Sequence, residues 1–102
     1  GVRIENIYRI QIMNASENNM NVSVKATGLD GLKILNSQGQ VVTEIEVAPA
    51  SNLLMPIKVS TDIGVNQPGN YPIHFDVVAQ ELSGDEMITR KRDEKSSFII
   101  PR

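Results

Sequence analysis

The chain has 102 residues, 40% hydrophobic and 22% charged, and its ten basic and twelve acidic side chains leave a net charge of −2. That length is one ordinary domain, able to bury roughly two-thirds of its unfolded surface in a single core, and the charge balance argues against a nucleic-acid-binding domain with its basic surplus. The absence of cysteine excludes disulfides, zinc–thiolate sites, iron–sulfur ligation and cysteine nucleophiles within these residues.

The first predicted strand covers residues 4–13, with Tyr8, Ile10 and Ile12 on one face of a two-residue repeat. Asn14-Ala-Ser-Glu-Asn-Asn19 reads as a polar loop, and residues 20–26 as a second strand with Met20, Val22, Val24 and Ala26 on one face. The short polar connection predicts an antiparallel hairpin between these two strands. Gly28-Leu-Asp-Gly31 is a turn, residues 32–35 a short strand, and Asn36-Ser-Gln-Gly39 another turn. Residues 41–47 form the next strand. After Ala48-Pro-Ala-Ser51, Leu53, Met55, Ile57 and Val59 alternate cleanly. Pro56 on the opposite phase marks that strand as an edge or a bulge.

Residues 61–69 form a longer connection containing Gly64, Pro68 and Gly69. Tyr71, Ile73, Phe75, Val77 and Ala79 then fall on every second position of one run, which makes Phe75 an expected core aromatic. Leu82-Ser-Gly-Asp85 closes a hairpin into a last strand over residues 87–100, interrupted by the charged stretch Arg90–Lys95 and returned to the core by Phe98 and Ile100. No segment competes as a helix, and β-branched residues fill most apolar positions. About seven short strands separated by regular turns predict an all-β fold, an immunoglobulin-like sandwich of antiparallel strands in two sheets. One domain, residues 1–102, accounts for the chain. No apolar run approaches the ~18 residues that cross a bilayer as a helix. The start at Gly1 rather than Met is expected of a piece of a longer protein.

Few side chains invite chemistry, and no catalytic or cofactor-binding residue is predicted. His74 is the only histidine, so no Ser-His-Asp relay can be assembled around a second one. Asp76 lies two residues on, on the same outward face and roughly 6–7 Å away. That makes His74 and Asp76 the candidate metal pair, although two ligands do not define a specific site. Met13, Met20, Met55 and Met87 are soft copper(I) ligands in principle, but their spacing reads as core filling. The residue 83–86 turn lacks the ligand series of a calcium loop. Asn14-Ala-Ser16 and Asn21-Val-Ser23 match the glycosylation acceptor pattern, which says only that those asparagines should be exposed.

Three stretches carry a family resemblance: Ile4-Glu-Asn-Ile-Tyr-Arg-Ile-Gln-Ile-Met-Asn14, Val22-Ser-Val-Lys-Ala-Thr-Gly-Leu-Asp-Gly-Leu32 and Tyr71-Pro-Ile-His-Phe-Asp-Val-Val-Ala79. In order and spacing they resemble the C-terminal domain of the FixG/CcoG family of cytochrome oxidase accessory proteins. His74 stands where many relatives carry arginine. The resemblance implies a parent with several transmembrane helices and two 4Fe–4S clusters held outside these residues. It further implies a non-enzymatic domain on the periplasmic side of the bacterial inner membrane, supporting copper handling and assembly of a cbb3-type oxidase. Its expected partners are proteins, oxidase assembly or copper-chaperone components, and not nucleic acid. The edges near residues 52–59 or 87–100 are the expected docking strands. The alternatives are a weak copper-delivery module using His74 and Asp76, or a structural spacer.

Overall fold

Strong period-two alternation produces seven strands among the described residues: β1 (Arg3–Asn14), β2 (Met20–Thr27), β3 (Lys33–Leu35), β4 (Glu44–Val47), β5 (Ser51–Asp62), β6 (Gly69–Ser83) and β7 (Glu86–Ile100). The computed structural model describes residues 3–62 and 67–102. Residues 63–66 of the predicted connection, with Gly64, and the chain start at Gly1 lie outside the described residues. The strands form two antiparallel sheets, ordered β1-β5-β3 and β4-β2-β6-β7. Facing apolar phases pack between them: Val22, Val47, Ile57, Val59, Ile73 and Phe98 are almost completely buried. At roughly 25 cal/mol per Å² of apolar surface removed from water, this layer is the main stabilising contribution.

The expected β1–β2 hairpin does not form. β1 pairs along its whole length with β5, whereas β2 pairs with β4 and β6. Residues 15–19 therefore cross from one sheet to the other. The physical reason is Asn14, which turns inward and is buried. Its Nδ2 lies 2.8 Å from the carbonyl of Asn18, 3.2 Å from that of Val47 and 3.1 Å from that of Ala48. Its Oδ1 accepts the amide of Ser16 at 3.0 Å. A side chain at the end of β1 that ties Asn18 of the crossover to Val47 of β4 and to Ala48 holds the crossover open and prevents a tight turn. Asn14 is thus not a glycosylation acceptor in this fold. Asn14→Ala should destabilise the domain by about 2–3 kcal/mol, because buried main-chain groups lose their partners; urea unfolding at constant m-value measures it.

Two further expectations change. β5 is not an edge strand throughout, since β3 pairs with it at Val59 and its two neighbours. Pro56, lacking an N–H, falls in the half of β5 where, among the described residues, β1 is the only paired strand. β7 is not interrupted either: Arg90–Lys95 pair in register with Ala79–His74 of β6. A strand at a sheet edge can keep its ladder with charged side chains because both of its faces reach water there.

Candidate docking cleft between two sheet edges

β1 ends one sheet and β7 ends the other. The two edges meet at one end only. Asn6 of β1 behaves like a missing strand residue: its Nδ2 donates to the carbonyl of Ile99 at 3.0 Å and its Oδ1 accepts the Ile99 amide at 2.9 Å. The Tyr8 hydroxyl donates to the carbonyl of Ser97 at 2.6 Å. Burial of that phenol raises its pKa above the ordinary value. Beyond Tyr8 the sheets splay and leave a cleft of about 690 Å³.

The cleft walls come from core phases that the opposite sheet does not cover. Tyr8, Ile10 and Ile12 stand on the β1 side, and Phe75, Val77 and Ala79 on the β6 side, all half-buried. Tyr8 and Phe75 meet edge to face, with ring centroids 5.2 Å apart and an interplanar angle of 74°. Phe75 has the expected inward phase, but it lies on an open wall; the fully buried aromatic is Phe98. The rim is basic, with Arg9 on one lip and Arg90, Lys91, Arg92 and Lys95 on the other, relieved by Glu94. Another hollow, of about 500 Å³, lies over residues 26–32 of a single turn.

Against Arg90 of the rim, Glu81 is buried with 4% exposure. Ser16 Oγ donates to its Oε2 at 2.5 Å, Asn18 Nδ2 reaches the same oxygen at 3.4 Å, and Arg90 donates to Oε1 at 3.0 Å. The Ser16 bond, helped by Asn18 and Arg90, holds the Glu81 carboxyl below the usual glutamate pKa despite its burial. A depressed native pKa contributes stability that is complete above the unfolded value, roughly 4.3. That stability is lost as pH falls through the native value. Glu81→Gln should therefore narrow the fall in melting temperature between about pH 7 and about pH 3. An unchanged difference would contradict the coupling.

Glu81 and the β7 charges were legible in principle. Glu81 continues the inward phase of Phe75, Val77 and Ala79, and Arg90, Arg92 and Glu94 continue that of Phe98 and Ile100. On β7 such charges indicate that the opposing sheet is missing there, whereas Glu81 is buried against the crossover residues Ser16 and Asn18. Asn6 carried no comparable signal, because one polar residue on an inward phase has many explanations.

The candidate metal pair, His74 and Asp76, has Asp93 of β7 for a neighbour. His74 Nδ1 faces Asp93, 3.0 Å from Oδ1 and 3.2 Å from Oδ2, on the outer face of the four-stranded sheet. Asp76 stands directly opposite Asp93 across the ladder. No group of three or more His, Cys, Asp or Glu side chains able to hold a metal occurs among the described residues. The methionines are dispersed: Met20 is buried and Met55 packs against the core, while Met13 and Met87 are exposed. The 83–86 turn is a hairpin with Ser83 opposite Glu86 and Gly84 at φ 61°.

A family model described as "IG-like fold at C-terminal of FixG, putative oxidoreductase" matches residues 1–101. The solved structure "Crystal structure of FixG-related protein from Vibrio parahaemolyticus" superposes with a TM-score of 0.66 at 19% sequence identity, covering 94% of this chain and 78% of that one. At that identity the likeness speaks for the fold. No curated protein sequence matches the chain.

Proposed function

Because the chain belongs to the family of Ig-like domains at the C-terminal end of FixG, we propose that it is a non-catalytic docking domain through which a FixG-like membrane protein contacts its protein partners. The contact serves assembly of a cbb3-type oxidase and its copper handling, on the periplasmic side of the inner membrane. Iron–sulfur clusters of such a parent are held elsewhere, because no cysteine in this chain can supply a thiolate.

The observation that carries this reading is the open cleft. Half-buried apolar side chains lie between the edges of β1 and β7, which have no further paired strand among the described residues, under a charged rim. A closed sandwich would bury those side chains; one left open offers both apolar area and main-chain hydrogen bonds to a partner. The test is deletion of this domain from the membrane-bound parent, followed by affinity isolation of oxidase subunits and copper chaperones. Recovery of at least one of them should fall about tenfold, a loss of roughly 1.4 kcal/mol. Unchanged recovery of all of them overturns the reading.

A further inference from the structure

The edge of β7 sets strict terms for what can sit in the cleft. In an antiparallel ladder the N–H and C=O of one residue point to the same side, and those of the next residue point to the other. The carbonyls of Ser97 and Ile99 and the amide of Ile99 reach Tyr8 and Asn6 of β1. Odd-numbered residues of β7 therefore turn their main-chain groups away from β6. By the same parity, Thr89, Lys91, Asp93 and Lys95 present theirs where β7 has no neighbouring strand among the described residues.

The side chains along this row have distinct states. Asp93 is held by His74, Arg90 by Glu81 and Arg92 by Glu94. Lys91 and Lys95 have no hydrogen-bond or ion-pair partner among the described residues. They share the outer face with Asp93, while the opposite phase looks toward the apolar cleft wall.

We infer that the cleft receives one extended segment of a partner protein, which pairs with the main chain of Thr89, Lys91, Asp93 and Lys95. Its inward positions are apolar and meet Tyr8, Ile10 and Ile12; its outward positions are acidic and meet Lys91 and Lys95. This rests on the proposed docking function and assigns it a site and a partner chemistry. A row of alternating main-chain donors and acceptors is matched by another polypeptide backbone, which a lipid chain or an apolar small molecule does not offer. A second copy pairing antiparallel about Asp93 would set Lys91 against Lys95 and Asp93 against Asp93, a like-charge arrangement that destabilises cross-strand pairs. The lysines that repel a copy of the chain attract an acidic strand.

Two synthetic peptides test this with the isolated domain, both alternating valine with polar residues: one carries glutamate and the other lysine on either side of a central threonine, which faces Asp93. The glutamate peptide should bind and slow amide exchange at Thr89, Lys91, Asp93 and Lys95 by about tenfold or more. The double variant Lys91→Glu, Lys95→Glu, exposed at both positions, should weaken that peptide about tenfold and favour the lysine peptide instead. Absence of binding at about 1 mM, equal binding of both peptides, or protection confined to other strands overturns the assignment. Protection that rises with protein concentration without peptide assigns the edge to self-association and also overturns it. In the parent protein, the double variant should lose the same partner that the domain deletion loses. Loss on deletion but not in the double variant removes the cleft and leaves the docking reading standing; loss in neither removes the docking reading itself.

Discussion

Truncating Phe98 to Ala is expected to lower folding stability by about 3–5 kcal/mol, the cost of removing a fully enclosed aromatic from a packed interior. Phe98 is completely buried and sits opposite Tyr71 in the β6–β7 ladder, near the point where Asn6 and Tyr8 join β1 to β7. The space it leaves cannot be refilled by a shift of β7, because hydrogen bonds from Tyr8 and Asn6 to Ser97 and Ile99 fix the main chain on either side. Phe75→Ala should cost less by at least about 1 kcal/mol, since that ring borders the cleft and is already partly hydrated. Urea unfolding midpoints at constant m-value give both numbers. Equal losses at the two rings would mean that the cleft is closed in solution.

Gly28→Ala should cost about 2–4 kcal/mol, although the position is exposed. Its φ is +121°, where side chains are strained. A Cβ built there would lie 2.7 Å from the carbonyl oxygen of Pro72 and 3.0 Å from the Cα of Ile73. Both atoms are main chain and cannot swing aside. β2 and β6 would have to separate at the end of their ladder, where Thr27 pairs with His74. Gly31→Ala is the control: its φ is +72°, but nothing lies within 4 Å of the added carbon. It should lose only the strain, about 1 kcal/mol. Identical losses at the two glycines would show that close approach to β6 plays no part.

The layers of this fold were readable because nearly every apolar run repeats at two, and that repeat leaves one buried face per strand. Val22, Ile57 and Ile73 lie inside, as their phases require. Pairing was harder to read. Alternation says which way a side chain points but not which strand lies alongside, and so a short polar loop suggested a hairpin between β1 and β2. The deciding contacts, from Asn14 to Val47 and Ala48, span more than thirty residues. Phe75 and Phe98 carry identical phase signals and differ only in what the opposite sheet covers. The family resemblance identified the domain, yet the cleft follows from the way β1 crosses β7 at Asn6 and then departs from it.

β6 and β7 each run for fifteen residues, roughly 50 Å at the rise of a β-strand, which matches the 51 Å long dimension of the molecule. The hairpin therefore runs the length of the molecule as its spine, with β2 alongside β6 from His74 to Glu81. Its base lies where the first and last strands are clasped, and its tip carries Leu82 opposite Met87, both bare to water. Anything tethered at the base holds two oily side chains roughly 40 Å away along β7, a fixed standoff that no flexible loop could maintain.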